Sequence, residues 1–373
     1  MQNQTKSSRI FGLDLMRAAA ILMVLFGHCL WIFPQSNNTI SQILQLFGFF
    51  GVEVFFVLSG FLIGNILLKL FIQNTFTFKT ALHFLKRRWF RTLPNYFLIL
   101  IINVIIAFLI GYQIPQTWHY FLFLQNFNTT MQPFFPESWS LSVEEFAYIF
   151  LPILLVITNS LAKKNKSTLY IISVLILITA SFLAKINYTQ TTTNISLDQW
   201  NLSLKSVVIY RLDSIYIGVL ASWLYNKYSN NWEKLKYTSM ILGVLLFFFL
   251  FFGLGKLGLL IETHHYFWNV LYLPLTSICV ALFLPLLSFW KTEITTIQRL
   301  IEFISKISYS IYLLHYSLIL YLMKEFIDTT SLSSINLYLF TALYLTIVFI
   351  LSALLYQFYE KPMMDIRDKI NNS

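Results

Sequence analysis

Apolar residues run through this chain in long unbroken stretches, not in the alternation of a strand or the single stripe of a soluble helix. Stretches long enough to cross a bilayer, about 20 residues as a helix, fall at 12–33, 42–68, 94–111, 140–158, 168–185, 206–226, 237–255, 266–289, 307–323 and 334–358. The pattern predicts an all-α, polytopic integral membrane bundle of about ten transmembrane helices, the third opening near Pro94. The first stretch is no secretory leader: it is too long, carries Arg17 in mid-run and ends without a small-residue cleavage site. Between spans, 112–138 is too apolar for a free loop and is expected to fold back on the bundle mouth. The Asn- and Thr-rich 185–203 reads as a polar loop.

Composition narrows the class. Of 373 residues, 57% are hydrophobic and 11% charged, against about 25% charged in soluble domains. Soluble globular and disordered chains are both excluded. The net charge of +10 would suit nucleic acid, but its placement argues otherwise. Twenty Lys and Arg lie on the loops of one side, among them Lys6, Arg9, Lys86, Lys163, Lys164, Lys291 and Lys361. Four (Lys185, Lys205, Lys256 and Lys324) lie on the other. That bias sets both termini in the cytoplasm. Cys29 and Cys279 both sit in apolar runs, so no disulfide framework and no metal site is expected.

Charged groups within spans cost roughly 2.5–3.5 kcal/mol each at a helix centre, so each is a functional candidate. They are Asp14, Arg17, His28, Glu53, Glu144, Glu145, Arg211, Asp213 and His315. Arg17 and His28 are three turns and about 16 Å apart on one helical face. Arg17 then lies near the inner surface, within reach of Asp14, and His28 lies in the outer third. Counting into the fourth span puts Glu144 at the depth of His28. There an imidazole and a carboxylate make a base with an orienting partner; alternatively, Glu144 and Glu145 start a helix, where acids suit the dipole. The two acids diverge by about 100°, which favours Glu144 as the inward one. Glu53 lines a water-filled path or pairs with Arg17. Arg211 and Asp213 bind a polar acceptor or pair with Glu144 and each other. His315 reads as a core histidine. Arg88 and Arg91, neighbours on one face, converge with Arg17 at the inner level, which suits a multiply phosphorylated ligand; the same cluster also suits plain anchoring to anionic lipid.

These residues fall into a series of motifs. Arg17-x10-His28 is followed by Gly51-Val52-Glu53-Val54-Phe55-Phe56-Val57-Leu58-Ser59-Gly60, Arg88-x-x-Arg91 and Trp139-Ser140-Leu141-Ser142-Val143-Glu144-Glu145. Tyr210-Arg211-Leu212-Asp213, Ile307-Ser308-Tyr309-Ser310-Ile311-Tyr312-Leu313-Leu314-His315 and Tyr359-Glu360-Lys361-Pro362 complete it. In this order they resemble the acyltransferase-3 family of membrane O-acyltransferases over nearly the whole chain, with Glu53 where many members have Asp. The resemblance implies one membrane acyltransferase domain over 1–373 in a bacterial cytoplasmic (inner) membrane, without a fused extracytoplasmic domain. It implies transfer of an acyl group, usually acetyl, from cytoplasmic acetyl-CoA (acyl-CoA) to a hydroxyl of a surface polysaccharide or lipid-linked sugar: lipopolysaccharide O-antigen, capsule, exopolysaccharide or peptidoglycan. His28 would be catalytic base or acyl relay, helped by Glu144 and Glu145, and Arg17, Arg88 and Arg91 would hold the CoA phosphates. Glu53, Arg211 and Asp213 are expected on the acceptor side. The expected partners are acyl-CoA, the acceptor glycan and membrane lipids, and not nucleic acid. The competing classes are a transporter or flippase, disfavoured by the lack of inverted repeats, and a non-catalytic acyl-CoA-binding membrane protein.

Overall fold

The structure is a computed structural model that describes residues 9–33, 38–73, 75–161, 165–192, 196–292 and 295–370. Lys6, Lys163 and Lys164 of the basic loops lie outside these residues. Among the described residues there is no strand, and nine helices are long and apolar enough to cross a membrane. In chain order with one shorter helix, they are α1 (Phe11–Ile32), α2 (Thr39–Gln73), α3 (Phe78–Leu109), α4 (Ser138–Ser160), α5 (Lys166–Thr191), α6 (Leu212–Lys227), α7 (Lys236–Lys256), α8 (Phe267–Leu287), α9 (Thr296–Phe326) and α10 (Ser334–Asp368).

α6 corrects the expected sixth span at 206–226. It has 16 residues, about 24 Å of rise, because Arg211 leaves helical geometry (φ −120°, ψ −8°) and the chain before it is wound in short turns. Residues 212–219 are all buried, so α6 is walled in by protein along this stretch. A second correction concerns Pro94. α3 starts sixteen residues earlier, at a capping box in which Thr77 accepts from the Thr80 amide and Thr80 reaches back to Thr77. The basic stretch from Lys86 to Arg91 therefore belongs to the same helix as the apolar run. The expected loop 185–203 is also largely helical: α5 continues to Thr191, and short turns fill 197–205. Lys185, counted as a loop charge, is fully buried.

The centre of the bundle is α2, packed between α1 and α6. Without side chains at the crossings, backbones touch. Gly60 and Gly64 of α2 meet Ile215, Gly218 and Ser222 of α6, and Gly27 of α1 meets Gly48 of α2. A ring of exposed Leu, Ile and Phe, such as Ile105, Ile176, Ile241 and Leu351, forms the outside, as lipid-facing positions require. The segment 112–138 folds onto the bundle as expected, burying Tyr120, Phe123, Phe134 and Phe135. Tyr96 of α3 donates to the Tyr120 carbonyl at 2.7 Å, and Tyr120 donates to that of Phe134 at 2.9 Å.

Candidate functional site

At one end of the bundle, α1 contributes Arg17 and α3 contributes Arg88 and Arg91 to a cleft of about 850 Å³, its open mouth included. Arg88 and Arg91 stand one turn apart on α3. None of the three guanidiniums has a hydrogen bond or ion pair to another described residue. Arg17 does not pair with nearby Asp14, which is taken by Arg9 (Nε at 2.9 Å) and by the Ser305 hydroxyl at 2.6 Å. The cleft runs inward between Phe55, Ser59, Tyr148 and Tyr309 and reaches Ser140 and Tyr312.

Glu144 lines this cleft too, which corrects its placement beside His28. It sits six residues into α4, facing the arginines, and accepts from the Tyr148 hydroxyl at 2.9 Å; Tyr148 is in turn bonded to Ser59. Glu145 points elsewhere, as two adjacent helical residues must. It accepts from Trp89 Nε1 at 3.0 Å and Thr92 Oγ1 at 2.9 Å, tying α4 to α3. Neither carboxylate is hydrogen-bonded to His28.

The partner of His28 is His315, which the sequence reading took for a core histidine. His28 ends the regular part of α1 before the tight turn Cys29–Ile32. Its Nδ1 is 2.9 Å from the Val24 carbonyl and 3.2 Å from Nε2 of His315. His315 is fully buried, and its Nδ1 faces the carbonyls of Ile311 (3.1 Å) and Tyr312 (2.8 Å). Those contacts assign the protons, because a carbonyl can only accept. His315 carries its proton on Nδ1 and offers a lone pair from Nε2. His28 therefore donates through Nδ1–H, and its Nε2 keeps a free lone pair. His315 opens a wide π-helical turn, His315–Leu320, of a kind common at functional sites. Glu137 holds that turn by accepting from the Ser317 amide (3.1 Å) and hydroxyl (2.6 Å). Burial pushes the Glu137 carboxyl up to about 7, with the Ser317 bonds pulling the other way.

Tyr312 joins the two ends. It lines the arginine cleft, its ring lies 5.8 Å from that of His315, and its hydroxyl is bonded to Ser140 (2.6 Å) and donates to the Glu137 carbonyl (3.1 Å).

A third cluster holds Glu53, Arg211 and Asp213, and here too the expected pairings change. Glu53 pairs with Arg211 across the α2–α6 crossing, and it also accepts from the Ser277 hydroxyl at 3.3 Å. Asp213 pairs with Lys185. All four charged side chains are fully buried. Beside them Lys205 lies over the rings of Phe49 (5.2 Å) and Trp139 (5.5 Å). Burial lowers its ammonium to about 8, with the like charge of Arg211 acting in the same direction. Among the described residues no three His, Cys, Asp or Glu side chains gather as a metal site would need.

Sequence reasoning gave no role to Tyr312, Glu137, Lys185 or Lys205, and reads His315, one of its candidates, as a core histidine. For His315 a signal existed: it and His28 are the two histidines within the apolar spans. Lys185 likewise sits at the end of an apolar run, where a lysine needs a partner. Tyr312 lies in the motif Ile307–His315, which gave it no role of its own among 21 tyrosines.

Comparison with known proteins agrees with the motif order. A family model described as an acyltransferase domain (acyltransferase-3) matches residues 10–357. A Staphylococcus aureus (strain COL) protein named "Putative O-acetyltransferase" is 27% identical over 96% of this chain and 58% of its own length. The "Putative peptidoglycan O-acetyltransferase" of Bacillus subtilis is 31% identical over 48% of this chain and 29% of its own length. The "Peptidoglycan O-acetyltransferase" of Listeria monocytogenes is 26% identical over 46% of this chain and 28% of its own length. The chain thus spans little more than half the length of the Staphylococcus relative, and no solved structure matches it. With the family match covering nearly every helix that builds the cleft and the histidine pair, the chain belongs to the acyltransferase-3 family.

Proposed function

We propose that this multi-pass membrane protein is an O-acetyltransferase that moves an acetyl group from acetyl-CoA, bound at the arginine cleft on the cytoplasmic side of a bacterial inner membrane, to a sugar hydroxyl presented at His28. One observation carries the reading: three unpaired arginines open on a cleft whose far wall, Tyr312, touches the His28–His315 pair. Unpaired guanidiniums at the edge of an apolar bundle seek anions, and phosphates fit their planar donors best. Arg17, Arg88 and Arg91 hold the donor's phosphates. Tyr148 and Tyr309 flank its arm, and Tyr312 marks where the thioester meets the histidines.

His28 Nε2 accepts the proton of the acceptor hydroxyl as its oxygen attacks the thioester carbonyl carbon. The C–S bond breaks, an ester forms, and the proton held on His28 passes to the departing sulfur. While His28 is cationic, the Val24 carbonyl and the His315 lone pair face its Nδ1–H. His315 is thus the positioning residue that Glu144 was expected to be. Glu144 sits instead among the arginines, where its charge tempers the cluster. Acceptors of the kind named for the relatives, peptidoglycan strands, fit this chemistry; lipid-linked sugars and other surface polysaccharides offer the same hydroxyl.

The test is transfer of labelled acetyl from acetyl-CoA into the glycan fraction by membranes carrying the protein, beside His28→Ala. Label with the wild type and none with the variant is expected. Equal label in both overturns the role of His28. Acetyl-CoA binding without transfer in either makes the chain a non-catalytic acyl-CoA-binding protein.

A further inference from the structure

Within the third cluster the charges do not balance. Glu53 is committed to Arg211 and Asp213 to Lys185, which leaves Lys205 as a cation without a hydrogen bond or ion pair among the described residues. A half-buried ammonium in an apolar bundle is costly unless an anion meets it. Lys205 is also not a loose surface side chain. Asn126, itself fully buried, donates to the carbonyl of the adjacent Ser206 at 2.6 Å and to that of Trp139 at 3.0 Å. The Val208 amide donates to the Asn126 carbonyl at 3.0 Å. One side chain thereby fixes the turn carrying Lys205 against the start of α4.

The surroundings describe what the cation is for. Lys205 lies over Trp139 and Phe49, and Trp139 meets Phe56 edge-on at 5.6 Å. Arg211, whose Nε and Nη1 are buried and unpartnered, also lies over Phe56, 5.4 Å from its ring. Two cations with unused donors thus contact one aromatic cluster. Phe49 follows Gly48, which packs backbone to backbone against Gly27, and Gly27 precedes His28. The half-exposed indole and the ammonium therefore stand beside the catalytic end of α1, at the acceptor side of the proposed reaction.

We propose that Lys205 and Trp139 form an acceptor subsite for an acidic sugar: the ammonium pairs with a carboxylate or phosphate on the glycan, and the indole stacks on a sugar ring. This rests on the acetyl-transfer reading and adds the charge class of the acceptor to it.

The experiment places the protein in phosphatidylcholine nanodiscs, which supply no net anionic headgroup. Labelled acetyl transfer is measured to a disaccharide ending in glucuronate and to the same disaccharide ending in glucose; calorimetry measures binding of each without turnover. The wild type prefers the glucuronate acceptor in kcat/KM by about tenfold, the scale of one hydrogen-bonded charge. In Lys205→Met the preference collapses towards one, and Lys205→Arg retains it. Transfer with a ratio unchanged in Lys205→Met overturns the subsite and leaves the acetyl-transfer reading standing. Glucuronate binding that is lost in Lys205→Met, with no transfer to either sugar, supports the anion site and removes the acetyl-transfer reading. If, in parallel nanodiscs doped with phosphatidylglycerol, that lipid binds through Lys205 while neither sugar does, the anion is a lipid headgroup and the proposal falls.

Discussion

At the scale of single residues, the site turns on which group faces the Nδ1–H of His28. In the proposed mechanism a carboxylate would stabilise the imidazolium by charge, whereas His315 would do so through a neutral lone pair whose direction is fixed by two backbone carbonyls. Replacing it tests that difference. His315→Phe keeps a ring and removes the acceptor, so kcat falls by about a hundredfold, at the low end of general-base contributions, while KM for acetyl-CoA moves less than about twofold. His315→Gln, which can place its carbonyl oxygen where Nε2 was, recovers part of the loss. A merely structural role for His315 would disturb both constants in both variants. The convergence of Arg17, Arg88 and Arg91 on one cleft was legible beforehand, because spacing along two helices determines the face each residue takes. The pairing of Glu144 was not. Depth counted from the span's polar edge does not say which way a residue looks, and six residues of α4 were enough to carry it to the arginine end.

At the scale of elements, glycine spacing explains why α2 takes the central position. A Cβ at Gly60 would overlap the Ile215 carbonyl, and one at Gly218 would overlap that of Val57, so the α2–α6 crossing exists only without side chains there. Gly60→Ala forces these helices apart and lowers the thermal stability of the detergent-solubilised protein by about 1–3 kcal/mol or more. Gly255→Ala, with open space around its Cβ, leaves the midpoint unchanged or slightly higher. A Gly60→Ala protein as stable as its parent would contradict the crossing. The long helices themselves were legible as apolar runs. α6 was partly hidden, because its own protein walls replace lipid over its first two turns, and hydropathy does not distinguish the two surroundings. The true start of α3 was hidden by its charges: Lys86, Arg87, Arg88 and Arg91 interrupt the apolar signal but not the helix.

At the scale of the whole molecule, the two ends of the bundle meet through α4 and α9, and Glu137 is the clasp between them. Its carboxyl titrates at about 7 against an ordinary 4.5 because burial disfavours the charge. The folded protein therefore keeps a proton that the unfolded chain has released. The stability this contributes is complete below about 4.5 and disappears as pH rises through about 7. Glu137→Gln keeps an acceptor for Ser317 and cannot ionise, so between pH 5 and 8 the variant loses about 1–3 kcal/mol less thermal stability than the wild type. Parallel melting curves for the two proteins would exclude Glu137 as the titrating clasp. Next to that clasp stands Tyr312, held by Ser140 and the Glu137 carbonyl between the arginine cleft and the histidines. A cell that lives on a proton gradient cannot tolerate a wet channel joining its two surfaces. If the proposed reaction holds, a chain that hands a two-carbon group from one side to the other needs an electrical seal that such a group can pass and a hydrated ion cannot. Under the proposed reaction, the hydrogen-bonded phenol ring of Tyr312 would be that seal, making the bundle an insulator that still passes acetyl.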